Sequence, residues 1–214
     1  MKNLRKLFCA LGALAAFALW TALICHVDVH PIGPNGSFVG LAALNAFFHR
    51  LTDVHMEIYV LTDWLSLIPV GFALGFAVLG LIQWIRRKSL FKVDGSILAL
   101  GGFYMLVLAS YLFFERFVIN YRPVLIDGFL EASYPSSTTL LVLCIMPTTM
   151  IQFKDRIGSP VVRKGVLAIL AVFTVFMTVG RLISGVHWLT DIIGGVLLSA
   201  GLVEAYAFAA DCLT

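Results

Sequence analysis

Arg181, His187 and Asp191 fall within eleven residues in the segment GRLISGVHWLTDIIGG, residues 180–195. An imidazole with a carboxylate four residues on and a guanidinium six residues before is a constellation suited to covalent catalysis on an anion. On a helix, His187 and Asp191 lie one turn apart on the same face. The carboxylate then accepts the hydrogen bond of one imidazole nitrogen, fixes the tautomer, and leaves the other nitrogen free to attack. Ser184-Gly185 reads as a break between two helices. Two further stretches carry polar groups of the right kind. In EASYPSSTTLLV, residues 131–142, Pro135 and then Ser136, Ser137 and Thr138 open an apolar run. Serine is a good N-cap, and the free N–H groups of a helix start bind anions. In INYRPVL, residues 119–125, Pro123 keeps Arg122 extended rather than helical.

These residues must be positioned by membrane elements. The chain is 60% hydrophobic and 13% charged, and that balance excludes an ordinary soluble domain. Five stretches lack Lys, Arg, Asp and Glu: Leu7–Val27, Trp64–Ile85, Gly95–Phe114, Ala132–Phe153 and Gly165–Gly180. Four have 20 or more residues, enough to cross a hydrocarbon core of about 30 Å. The fifth has 16 and is bounded by Lys164 and Arg181, which are expected to snorkel to the interfaces. A sixth runs from about Trp188 to Ala210, interrupted by Asp191 and Glu204. The expectation is all-α: one domain, residues 1–214, folded as a six-transmembrane-helix bundle. The basic start MKNLRKLF precedes an apolar run too long for a signal peptide, so it is expected to open an uncleaved first helix.

Lys and Arg concentrate on the cytoplasmic side of membrane proteins. With both termini cytoplasmic, eleven of the fifteen basic residues fall inside. Arg50, Arg116, Arg122 and Arg181 fall outside, at the same face as His187. Arginines gathered at one face suit phosphate, whose oxygens match the guanidinium fork. The net charge of +3, spread over loops, suggests no nucleic-acid partner. The four cysteines fit no zinc pattern.

Arg-Pro, then Pro-Ser-Ser-Thr, then Arg-x-x-x-Gly-x-His-x-x-x-Asp, in that order, resemble the type-2 phosphatidate phosphatase superfamily, which shares its site with the vanadium haloperoxidases. The third motif matches at Arg181, Gly185, His187 and Asp191, with Gly180 where the family usually has Ser; the other two match in part. The resemblance implies that His187 is the nucleophile that forms a phosphohistidine and that Asp191 orients it. It implies that Arg122 and Arg181 clamp the phosphate oxygens, that Ser136 donates to them, and that the amide of Ser137 faces the anion. It implies no metal or other cofactor. The implied substrate is a membrane lipid phosphate met in the bilayer, which the loop charges set at the extracytoplasmic face, and a polyprenyl diphosphate is the most concrete expectation.

Two departures bear on that reading. The family's Lys position, seven residues before Arg122, holds Glu115, with Arg116 adjacent as the candidate replacement. The His that protonates the leaving group is replaced by Thr138. General acid catalysis supplies roughly 10²- to 10⁴-fold. An alkoxide leaves as poorly as hydroxide, whose parent pKa is about 15.7. A phosphate monoester leaving a diphosphate has a second pKa of about 6. Losing the acid therefore favours lipid diphosphates over monoesters. His30, His49, His55, Asp127 and Glu131 are the outer groups available to replace it. Two alternatives stay open: a non-catalytic phospholipid-binding relative, and a lipid phosphotransferase. The polar segment 28–63, with an interfacial helix expected over Phe38–Leu51, is either a passive connector or a lid. Glu204, roughly 20 Å along a helix from Asp191, is expected to be buried and hydrogen-bonded in a structural role.

Overall fold

A charge-free run of Leu, Val, Ala and Phe has no water to bond within a bilayer, so its backbone polar groups must pair inside the segment, which a helix achieves. The computed structural model describes residues 2–213, and every regular element is a helix. Besides two short 3-10 turns at Pro34–Gly36 and Leu90–Lys92, these are α1 (Lys2–His26), α2 (Ala42–Thr52), α3 (Met56–Leu65), α4 (Leu67–Arg87), α5 (Gly95–Arg116), α6 (Ser137–Arg156), α7 (Pro160–Ile183) and α8 (Leu189–Leu213). α3 and α4 are interrupted only at Ser66.

Among the described residues, five segments are long and apolar enough to cross a membrane: Asn3–His26, Met56–Arg87, Gly95–Arg116, Pro160–Ile183 and Leu189–Leu213. The chain is an all-α, multi-pass membrane protein. α6 has the length but not the apolar surface of these five. Its position explains why. It packs against α4, α5, α7 and α8 and buries Thr138, Thr139, Thr148, Thr149 and Gln152. The hydroxyl of Thr148 donates to the Cys144 carbonyl at 2.8 Å, and the Gln152 amide donates to the Tyr206 hydroxyl. A helix walled off by its neighbours does not need an apolar exterior, provided its polar groups are bonded.

α8 is the axis of the bundle, packed on α1, α5 and α6. Leu198, Leu202, Tyr206 and Ala210 join Phe76, Leu100, Phe103 and Leu140 in one buried apolar cluster, and Val142, Met146, Leu170 and Met177 form a second. Gly194 lets Tyr134 lie against α8, since a Cβ there would overlap the phenol ring. The Tyr134 hydroxyl then reaches Thr21 of α1 at 2.7 Å. At the end opposite His187, Asp94 gathers the Gln83 amide, Arg87 and Arg156, and Lys6 pairs with Asp211 at 2.8 Å. Glu204 departs from expectation: it is half-buried and makes no hydrogen bond among the described residues.

Candidate active site

Three chain segments meet around His187. The first is the turn between α7 and α8. α7 ends at Ile183, and Ser184 and Gly185 turn the chain as expected. Gly185 adopts φ +68°, and a Cβ there would overlap the Asp53 carbonyl oxygen, so glycine is required twice over. His187 lies in this turn rather than on a helix. Asp191 sits in the first turn of α8, where its Oδ2 accepts from the backbone N–H of Trp188 at 2.9 Å. A carboxylate at that position satisfies an orphan donor and meets the positive end of the helix.

The second segment is the loop between α5 and α6. It folds back on itself through bridges at Tyr121–Ala132 and Ile126–Phe129. The N–H of Arg122 donates to the Glu131 carbonyl at 3.0 Å, and the N–H of Ser133 donates to the Asn120 carbonyl at 2.9 Å. Asn120 and Ser133 thus stand side by side and both reach Asp191. The Asn120 amide donates to Oδ1 at 3.3 Å, and the Ser133 hydroxyl donates to Oδ2 at 2.5 Å. Three donors offset the desolvation of this carboxylate.

The expected direct His187–Asp191 bond is corrected. Nδ1 of His187 lies 3.7 Å from Asp191 Oδ2, too far for a hydrogen bond. Nδ1 is instead 3.0 Å from the Ser133 hydroxyl. The reason is the turn: with His187 outside α8, the helical i, i+4 geometry does not apply.

Nε2 faces the opposite way, 3.4 Å from a guanidinium nitrogen of Arg122 and 3.4 Å from one of Arg181. Donors on both sides require Nε2 to carry the lone pair, which leaves the proton on Nδ1. His187 is 4% exposed, Arg122 7%, Arg181 1% and Asp191 0%. Burial, then the charges of Arg122 and Arg181, hold the His187 imidazole well below its ordinary value of 6.5, so it is neutral at neutral pH.

The third segment is α3, expected in the outer polar segment 28–63 but found to open the membrane-length run Met56–Arg87. It is packed onto the site. The guanidinium carbons of Arg181 and Arg122 lie 4.8 Å and 5.8 Å from the centroid of the Tyr59 ring. One guanidinium nitrogen of Arg181 donates to Thr62 Oγ1 at 3.4 Å and lies 3.9 Å from exposed Asp63. The N–H of His55 donates to the Ser184 carbonyl, and Asn45 of α2 bonds Thr190. Arg181 is fully buried here, so it does not snorkel as its place at the end of an apolar stretch suggested. Among the described residues its Nε has no hydrogen-bond partner. Glu131 lies 3.0 Å from Nε of Arg122 but off the N–H direction, so that donor is unsatisfied too. Two buried cations with spare donors, sharing one ring and one imidazole, are set to receive an anion.

The remaining expected residues are placed differently. Ser136 is the N-cap of α6; its amide donates to the Asp191 carbonyl at 3.2 Å, but its hydroxyl accepts from Thr139 rather than turning to His187. Ser137 and Thr138 line a cavity of about 630 Å³ between α4, α5 and α6, which Asp63 joins to the arginine cluster. Arg116 is exposed at the end of α5 and makes no hydrogen bond or ion pair with the site among the described residues. Of the candidate acids, Glu131 touches Arg122, His49 bonds the Gly185 carbonyl, and His30 pairs with Asp28. Ser133, Asn120 and Tyr59 were missed. Ser133 and Asn120 carried a weak signal, being polar loop residues beside the Pro-Ser and Arg-Pro motifs; Tyr59 carried none. Among the described residues no three His, Cys, Asp or Glu side chains gather as ligands for a metal.

Residues 95–209, more than half of the chain, match the family described as the PAP2 superfamily. The chain belongs to the PAP2 superfamily. The matched region includes His187, Asp191 and both arginines. The structure is also similar to the crystal structure described as that of the first transmembrane PAP2 type phosphatidylglycerolphosphate phosphatase from Bacillus subtilis, with a TM-score of 0.59 and 17% identity over 97% of this chain and 98% of that one. At that identity the likeness speaks to the fold. Comparison with curated proteins gave no match. As a PAP2 protein the chain has a membrane-embedded, lipid phosphatase-like fold, and membership supports phosphatase activity in general terms.

Proposed function

We propose that this PAP2 protein removes a phosphate from a lipid phosphate or diphosphate at the extracytoplasmic face, through a phosphohistidine on His187 and without a metal. The observation that carries the reading is Nε2 of His187 set 3.4 Å from both Arg122 and Arg181. The arginines hold the phosphoryl oxygens, Nε2 attacks phosphorus, and the electron pair of the broken P–O bond leaves with the lipid or its phosphate. Water then attacks the phosphohistidine. The developing charge on the equatorial oxygens is what two preorganised guanidinium groups stabilise.

Six membrane spans, with α6 as the shielded one and both termini cytoplasmic, fit the charge pattern. Arg116 at the end of α5, Arg122 in the α5–α6 loop and Arg181 at the end of α7 lie on one side of this pattern, and Arg86 and Arg87 at the end of α4, Lys154 and Arg156 at the end of α6 and Lys164 at the start of α7 on the other. The cavity between α4, α5 and α6 supports a lipid substrate. Asp63, Ser66, Tyr111, Ser137 and Thr138 provide its polar part, and Val70, Leu74, Val107, Leu108 and Leu141 its apolar wall. A tail lodged there leaves the head group beside Arg181. With Thr138 in the place of an acid, a polyprenyl diphosphate is the favoured substrate. A non-catalytic, lipid-binding role is the second reading, favoured by Thr138 and by the exposure of Arg116.

The test is phosphate release by purified protein from a panel of polyprenyl diphosphate, phosphatidic acid and phosphatidylglycerol phosphate, with a chelator present. The expected result is turnover of the diphosphate above the monoesters and none by His187→Ala. Equal turnover by the variant, or dependence of the chemical step on added divalent metal, refutes the mechanism. Binding without release supports the second reading.

A further inference from the structure

His187 is the proposed nucleophile and Asp191 its orienting partner, yet the two side chains make no direct hydrogen bond. Nδ1 and Oδ2 are 3.7 Å apart, and the Ser133 hydroxyl bridges them from the side, 2.5 Å from the carboxylate and 3.0 Å from the imidazole. All three side chains are buried, with Ser133 2% exposed, so no bulk water competes for these bonds. We propose that Ser133 is a positioning residue: its hydroxyl links Asp191 to His187, takes the Nδ1 proton in a hydrogen bond, and so holds the ring with its Nε2 lone pair towards the arginines. This inference rests on the phosphatase reading for its kinetic consequence but not for its structural one.

The direction of each bond follows from the acceptor set. Asp191 Oδ2 is a carboxylate oxygen already accepting from the Trp188 N–H, so the serine must donate its only proton there. The serine oxygen then has lone pairs left and can only accept from Nδ1–H. Nε2 is left unprotonated, which its two guanidinium neighbours independently demand. Ser133 is itself held by its backbone. Its N–H donates to the Asn120 carbonyl at 2.9 Å, and Asn120 binds the other Asp191 oxygen at 3.3 Å. When Nε2 bonds to phosphorus, the ring becomes a cation that keeps its Nδ1 proton. The serine passes that charge's attraction to Asp191 without any proton having to move. A loop residue beside the Pro-Ser motif thus positions His187, which the third motif alone was expected to do.

The backbone carbonyl of Ser133 also favours the protonated ring, and it survives any substitution of the side chain. The experiment therefore isolates the hydroxyl. Full-length protein in detergent, labelled with ¹⁵N-histidine, gives the nitrogen spectrum at neutral pH, with His187 identified by its loss in His187→Ala. The wild type is expected to show a protonated-type Nδ1 and an unprotonated-type Nε2. Ser133→Ala is expected to leave Nε2 unprotonated, as its guanidinium neighbours demand, and to shift the Nδ1 resonance through loss of its hydrogen bond to the hydroxyl, and Ser133→Thr to restore the wild-type pattern. In the phosphate-release assay, kcat is expected to fall roughly 10- to 100-fold in Ser133→Ala, as for loss of a hydrogen bond to a charged group, with KM little changed. Ser133→Cys, close in size but a weak hydrogen bonder, is expected to move the spectrum in the same direction and carries the test if the alanine variant does not fold. A His187 spectrum unchanged in Ser133→Ala or Ser133→Cys overturns the proposal. An altered Nδ1 resonance in a protein that hydrolyses no lipid phosphate sustains the serine link and refutes the phosphatase reading instead.

Discussion

Replacing Arg181 by Lys keeps the charge and removes the fork. In the structure the guanidinium is divided between tasks: one nitrogen faces α3 at Thr62 and Asp63, the other faces His187 Nε2, and the plane lies over Tyr59 at 4.8 Å. An ammonium is a single point with three donors on a shorter reach and cannot serve both directions while stacking on the ring. The loss is at least one charge-assisted hydrogen bond to the transferring phosphoryl group, worth about 1.5–3 kcal/mol. At about 1.4 kcal/mol per tenfold, kcat/KM is expected to fall roughly 10- to 150-fold. Arg181→Ala is expected to cost more, about 10²- to 10³-fold, as for removal of a transition-state donor. The assay is phosphate release from a lipid diphosphate in micelles, with thermal unfolding measured in parallel to show that the variant is folded. A folded Arg181→Lys within threefold of wild type refutes the claim that the buried fork clamps the reacting group.

Other consequences can be checked together. Thr138→His restores an acid to the cavity wall and is expected to raise monoester turnover relative to diphosphate turnover by about 10²-fold or more; an unchanged ratio means the cavity is not where the leaving group sits. Gly185→Ala must place a Cβ at φ +68° against the Asp53 carbonyl, a strain of about 1–3 kcal/mol before the clash is counted; a melting temperature equal to wild type contradicts the packing of the α2–α3 corner on the His187 turn. His187 is held below its ordinary 6.5, so the acid limb of kcat/KM is expected below pH 6.5, and a limb assigned to His187 at or above 6.5 contradicts its neutral burial. The same group makes stability depend on pH. Below 6.5 the unfolded chain binds a proton that the folded chain refuses, so stability falls as the pH drops from about 6.5 and is unaffected above it. His187→Gln is expected to flatten that dependence in chemical unfolding.

Charge-free runs made the membrane class readable, because bilayer crossing imposes length and apolarity on every helix that meets lipid. The lack of charge in Ala132–Phe153 predicts a span at α6, yet its threonines and Gln152 set it apart from the five apolar segments. Absence of charge is a weaker property than an apolar surface, and only packing explains why α6 tolerates the difference. In the site, Arg122, Arg181, His187 and Asp191 were legible as residue types at fixed spacing, and the structure gathers all four. The link between His187 and Asp191 was not legible. Helical periodicity predicts a direct contact, and the turn forced by Gly185 removes the helix. Ser136 and Arg116 illustrate the other limit: a motif position fixes where a residue stands along the chain, while the Thr139 hydroxyl and the end of α5 decide where its side chain goes.

The central claim is that one cationic pocket presents a phosphoryl group to Nε2 of His187. Rapid quenching of wild type with a lipid diphosphate labelled at its terminal phosphate tests it most directly. The account predicts acid-labile, base-stable label on the protein, mapped to His187 and absent from His187→Ala. Turnover at the wild-type rate by that variant, or label mapped to any other side chain, contradicts it.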